Sequence, residues 1–426
     1  MSKDADRIRR PYRSRVVEPA QPGRRAFLRT AALGVAGAPL VAANLASTPV
    51  RASATAEIVR DFEDPYLELV RLLREAAEIE HDLMVQYLYC AYSVKPAYSG
   101  IIGFAVPRPD SLLGIAVQEM QHLAAVNHLL RALGHRPVLE RAGYPHETDL
   151  YPFPFKLEPI SRVSLAKYAY CEAPPGALDP AKAQTTEDRA FIAMVSRVLG
   201  PDLHVNHVGT LYANVIARLA EVRQSPDAPK IDYDRWHADL VRIMQEGEVD
   251  HYRFFRNLLM GIHPIFETKA TVWDLPYSHA DYPGLPLAGD HTAFKGHERT
   301  IPDSLSRELA WLSDLTYWSS LLLLTLGYHH ESEEVRAVPL QMAQELMLGP
   351  LGSLARALPE RGYGLPFDQL SLDYHPGTDD AGTKRFILRM LAEADRKKAA
   401  VETELPYDFP PDVYAFMAER IRAGEI

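Results

Sequence analysis

The sequence predicts an all-α protein: a four-helix bundle with long Pro-rich loops and an additional C-terminal helical region. Three observations predict it. Apolar residues recur at helical spacing over four long segments, strand-like alternation is scarce, and Glu-x-x-His occurs twice on expected inner faces.

The first helix is expected from Pro65 to Val94, because Asp64-Pro65 supplies an N-cap followed by a proline suited to the first turn. The second runs from about Asp110 to Leu133 and stops at Gly134. The third spans about Asp202 to Val222, after Gly200-Pro201. The fourth spans about Tyr233 to Leu259. Residues 135–185 read as a long connection rich in Pro and aromatic side chains, and a shorter helix, Thr186–Leu199, follows it. Together, residues 55–262 form the expected bundle. A Pro/Gly-rich connection, 263–302, leads to helical patterns at Asp303–Tyr328, Glu334–Leu358, Ala381–Thr403 and Pro411–Arg422. This last region, 303–426, is apolar enough to pack on the bundle.

Composition narrows the function. The 426 residues are 47 % hydrophobic and 24 % charged, with a formal net charge of −10. That acidic balance argues against a nucleic-acid partner. Two cysteines exclude a disulfide scaffold and a four-cysteine metal site, and leave open whether Cys90 and Cys171 pair. The charge is uneven: residues 1–54 carry +7 and the remainder −17. In the basic head, Arg24-Arg25 precedes Phe27-Leu28, then an uncharged run Ala31–Ser47, then Ala52-Ser53-Ala54. This order resembles a twin-arginine export signal. It implies export by that route to a periplasmic or extracellular place, with the working chain starting near Thr55. The uncharged run is only weakly hydrophobic, so no stable membrane span is expected.

The chemistry is expected on three helices. Glu80 shares a stripe with Leu69, Leu73, Ala76, Leu83, Tyr87 and Ala91, whereas Glu78, His81 and Asp82 fall off it. Glu119 and His122 share the stripe of Leu112, Ile115, Leu123, Val126 and Leu130. Glu248 and His251 share the stripe of Leu240, Met244, Phe255 and Leu258, while Glu246 points elsewhere. Buried carboxylates need a partner or a metal. Glu and His three residues apart project together, and two such pairs plus single acids form the ligand set of a dimetal carboxylate bundle. Oxygen and imidazole donors suit iron, as two ions or one, or manganese; haem ranks behind both. The third helix carries no Glu. His207, on the face of Val208, Leu211 and Val215, is the candidate substitute ligand, with His204 one turn earlier. Tyr87 and Tyr252 have two readings: core packing, or hydrogen bonding to a ligand or oxygen species as catalytic residues.

Glu78–Tyr92, Gln118–Gly134, Tyr170–Pro174, Val208–Tyr212 and Glu248-x-x-His251-Tyr-x-Phe254 resemble segments of the ferritin-like proteins related to iminophenyl-pyruvate dimer synthases. Those enzymes serve bisindole pigment and indolocarbazole pathways. The resemblance implies metal-ligand roles for Glu80, Glu119, His122, Glu248 and His251, and Thr210 stands where it leads one to expect a third-helix Glu. Three functions follow as expectations. The first is an exported oxidoreductase that activates oxygen or peroxide for a small-molecule substrate. The second is a coupling enzyme of the named kind, and the third a non-enzymatic metal-binding or storage protein. A monomer or small homo-oligomer is expected, since long insertions hinder a cage.

Overall fold

Asp64 opens α1 (Pro65–Tyr92) as the sequence predicts: its carboxylate accepts from the Tyr66 and Leu67 amides, and Pro65 sits where no donor is needed. The computed structural model describes residues 58–103, 110–141, 153, 155–200, 207–267, 271–330, 332–370, 374–377 and 379–426. The basic head and His204 lie outside these residues.

α2 (Leu112–Ala132) starts at Ser111, whose hydroxyl accepts from Gly114, and packs along α1. α3 (Arg162–Cys171) lies inside the stretch that the sequence reads as a connection. A reciprocal cap between Ser161 and Ser164 starts it, and at ten residues it is too short to show a clear apolar period. α4 (Thr186–Leu199) matches its expected bounds. α5 (Val208–Arg223) packs on α1 and on α6 (Tyr233–Gln245). After α6 the chain does not stay α-helical: Glu246–His251 forms a π-helical turn before α7 (Tyr252–Leu259), which packs on α3.

The C-terminal helices are α8 (Ser304–His329), α9 (Glu333–Leu346), α10 (Gly352–Ala357), α11 (Asp380–Ala400) and α12 (Val413–Arg422). α9 is separated from α10 by a second π turn, Met347–Leu351. α8 packs on α9, on α11 and on α2. It is long and apolar enough to cross a membrane, but 89 % of its most apolar window is buried within the fold. Its contact explains why α1 is buried on more than one side. His81 and Asp82, which fall off the bundle-facing stripe, are buried against this region, with His81 Nε2 2.6 Å from the Tyr317 hydroxyl. Among the described residues there is no strand, only three isolated bridges. Cys90 and Cys171 are buried, and no disulfide joins them.

Candidate metal centre

Four segments bring carboxylates and imidazoles to one buried point. α1 supplies Glu80, α2 supplies Glu119 and His122, the end of α3 supplies Glu172, and the π turn supplies His251. These side chains form two groups, Glu80/Glu119/His122 and Glu119/Glu172/His251. In each, one ligand atom per residue lies within 4.8 Å of the others. Glu119 belongs to both. Its Oε2 is 2.8 Å from His122 Nδ1, and its Oε1 is 3.0 Å from His251 Nδ1. The two imidazoles lie roughly parallel, with ring centroids 5.8 Å apart.

The π turn decides which residues of the fourth segment face this point. A π turn lines up residues five apart, where an α-turn lines up those three or four apart. The α-helical reading pairs Glu248 with His251 and turns Glu246 away. In the structure, Glu246 and His251 both reach the bundle interior: Glu246 Oε2 is 2.8 Å from His122 Nε2, and Arg242 holds the same carboxylate. Glu248 is half-buried over Gly209, where a Cβ would collide with its carboxylate, and it joins neither triad.

The carboxylate that the sequence lacks at Thr210 is supplied from elsewhere. Glu172 caps the end of α3 and is 3 % exposed. Its Oε1 accepts from the Tyr87 hydroxyl at 2.5 Å and lies 3.7 Å from His251 Nδ1. His207 is not brought into either triad: it stands at the N-cap of α5, and its Nδ1 is 2.8 Å from the Tyr170 carbonyl, the geometry of an N–H donating there. Of the two tyrosines singled out, Tyr87 touches the site through Glu172. Tyr252 packs edge-on against Phe191. Tyr212 reaches the centre instead, donating its hydroxyl to Glu80 Oε1. It is fully buried among the apolar residues of α5.

Electrostatics fit a cation. Burial, then the Glu119 charge, push the Glu80 carboxyl up to about 8. Burial alone lowers the His251 imidazole, but Glu119 and Glu172 outweigh it and carry it up to about 10. Glu119, flanked by His251 and His122, is held below the usual carboxylate range despite its burial. Glu80 Oε2, Glu119 Oε1 and His251 Nδ1 are all buried, and the 3.0 Å approach of Glu119 Oε1 to His251 Nδ1 is an ion-pair contact without hydrogen-bond geometry. Buried polar atoms left in this way are costly, and a cation at each triad would satisfy them. A cavity of about 10 Å³, at the lower limit for one ordered water, opens among Glu80, Glu119, His122, Glu172, Tyr212 and His251.

Residues 73–250 match the ferritin-like family. Dichlorochromopyrrolate synthase of Lentzea aerocolonigenes is 24 % identical over 354 residues, covering 75 % of this chain and 32 % of that protein. The 2-imino-3-(indol-3-yl)propanoate dimerase of Chromobacterium violaceum is 32 % identical over 136 residues, 25 % of this chain and 13 % of that protein. This chain is a ferritin-like relative of these enzymes. It spans about a third of the length of the first and less of the second. No solved structure matches it. The ferritin-like match runs from α1 to the π turn, so it contains Glu80, Glu119, His122, Glu172 and Glu246 and ends one residue before His251.

Proposed function

We propose that the chain is a metal-dependent oxidoreductase whose two triads hold a pair of iron or manganese ions. The observation that carries this is Glu119, placed between two buried triads with one oxygen turned to each. Three carboxylates and two imidazoles balance two divalent ions to within one charge. Bound there, iron or manganese supplies one-electron redox chemistry toward oxygen or peroxide. The chain's own residues orient and exclude. Burial pushes the Tyr87 and Tyr212 phenols up, so both stay protonated and hold Glu172 and Glu80 as donors. The cavity among these residues has room for about one water-sized molecule. Elemental analysis of chain purified from metal-replete cells tests the reading. About two transition-metal ions per chain are expected, and metal-free wild type would sink it.

A second reading, coupling of an amino-acid-derived imine, is supported by the names of the two relatives. Incubation with tryptophan and an amino-acid oxidase separates the two, because only the coupling reading expects a new dimeric product. Export of the working chain is also part of the proposal, on the Arg24-Arg25 motif and the +7 head. Replacing both arginines by lysine should leave the chain in the cytoplasm, as fractionation would show.

A further inference from the structure

A cavity of about 330 Å³ lies in the C-terminal region, lined by Phe294, Lys295, Arg307, Glu308, Trp311 and Lys397 among others. It shares no lining residue with the metal centre's cavity. The segment before α8 brings Phe294 and Lys295, α8 brings Arg307, Glu308 and Trp311, and α11 brings Lys397. The volume falls in the range of small-molecule sites.

Its walls are aromatic. The Phe294 and Trp311 rings meet at 5.6 Å and 70°, and Trp318 packs against both at 6.0 and 5.3 Å. The Trp318 indole N–H is satisfied by the Asp368 carbonyl at 2.7 Å. Three cations stand against one acid. Glu308 is shared by Lys295, 3.5 Å away, and Lys397. Arg307 donates once, from Nη1 to the Ile301 carbonyl, and its buried Nε has no partner. The lining is thus +2 on a body that is −17 beyond the head. Surplus cations held beside an apolar aromatic wall, against the charge of their surroundings, are complementary to an anion with a flat apolar part.

We infer that this cavity is a second ligand site, for a small aromatic carboxylate: its ring packs on Phe294 and Trp311, and its carboxylate faces Lys295 and Arg307. The inference does not rest on the metal reading. It is tested by ¹⁹F NMR titration of the full chain with 4-fluorobenzoate, with the uncharged 4-fluorobenzyl alcohol alongside. Saturable binding of the acid is expected, with the alcohol about tenfold or more weaker. Lys295→Glu reverses an exposed charge without touching the core and should weaken the acid about tenfold. Trp311→Leu should abolish its binding. Glu119→Gln, in the separate buried cluster, should leave it unchanged. No saturation, equal binding of the alcohol, wild-type affinity in Lys295→Glu, or loss of binding in Glu119→Gln overturns the inference.

Discussion

Glu119→Gln keeps the side-chain volume and removes the charge that both triads share. If the two ions depend on that carboxylate, the variant should lose both together, whereas Glu172→Gln should lose only the ion at Glu119/Glu172/His251. Counting bound metal in each variant checks this; equal loss in the two would mean that the triads are not separable. Tyr212→Phe tests the support of Glu80. It leaves a buried carboxyl without its donor, at a cost of about 1–3 kcal/mol. The expected result is a lower unfolding midpoint in urea and weaker metal retention against a chelator, with the fold kept by circular dichroism. Two of the residues in these tests show the limits of sequence reading. An aromatic on an apolar stripe reads as packing, and only the neighbouring helix shows that Tyr212 ends on a carboxylate. Glu172 carried no periodic signal, because α3 is shorter than three turns and Glu172 lies just past its end.

At the scale of elements, the fourth segment is the informative one. Its span, Tyr233 to Leu259, was legible from its apolar stripe. The π turn within it was not, because a one-residue change of phase leaves composition and length untouched. It exchanges Glu246 for Glu248 at the inner face. The turn also needs a small residue: a Cβ on Gly247 would lie 2.9 Å from Glu172 Oε2. Gly247→Ala should therefore push Glu172 aside and weaken the ion nearest His251, while the Glu80 triad keeps its own. Competition with a chromogenic chelator should then show one tight and one weakened site. Two unaltered sites would show that Glu172 yields without consequence. The long helices were readable throughout because caps and apolar periods agree, as at Asp64-Pro65 and at Thr185, where a capping box starts α4.

For the whole molecule, the protons held by the buried carboxyls and imidazoles link metal, stability and pH. The metal-free fold keeps Glu80 protonated up to about pH 8, whereas the unfolded chain releases that proton near its ordinary value of 4.5. Between those values the folded state binds more protons, so its stability falls as pH rises. His251, raised from 6.5 to about 10, acts in the same direction: its contribution is complete below 6.5 and is lost as pH climbs through about 10. Metal binding must displace these protons, so affinity should rise over the same span. Thermal unfolding of chelator-treated chain should therefore show a midpoint that drops between about pH 6 and about pH 9, and the metal-loaded chain should stay level or gain. Parallel curves for the two forms would mean that Glu80 and His251 do not hold the protons that the metal replaces. The centre would then be a buried hydrogen-bonded cluster and not a metal site.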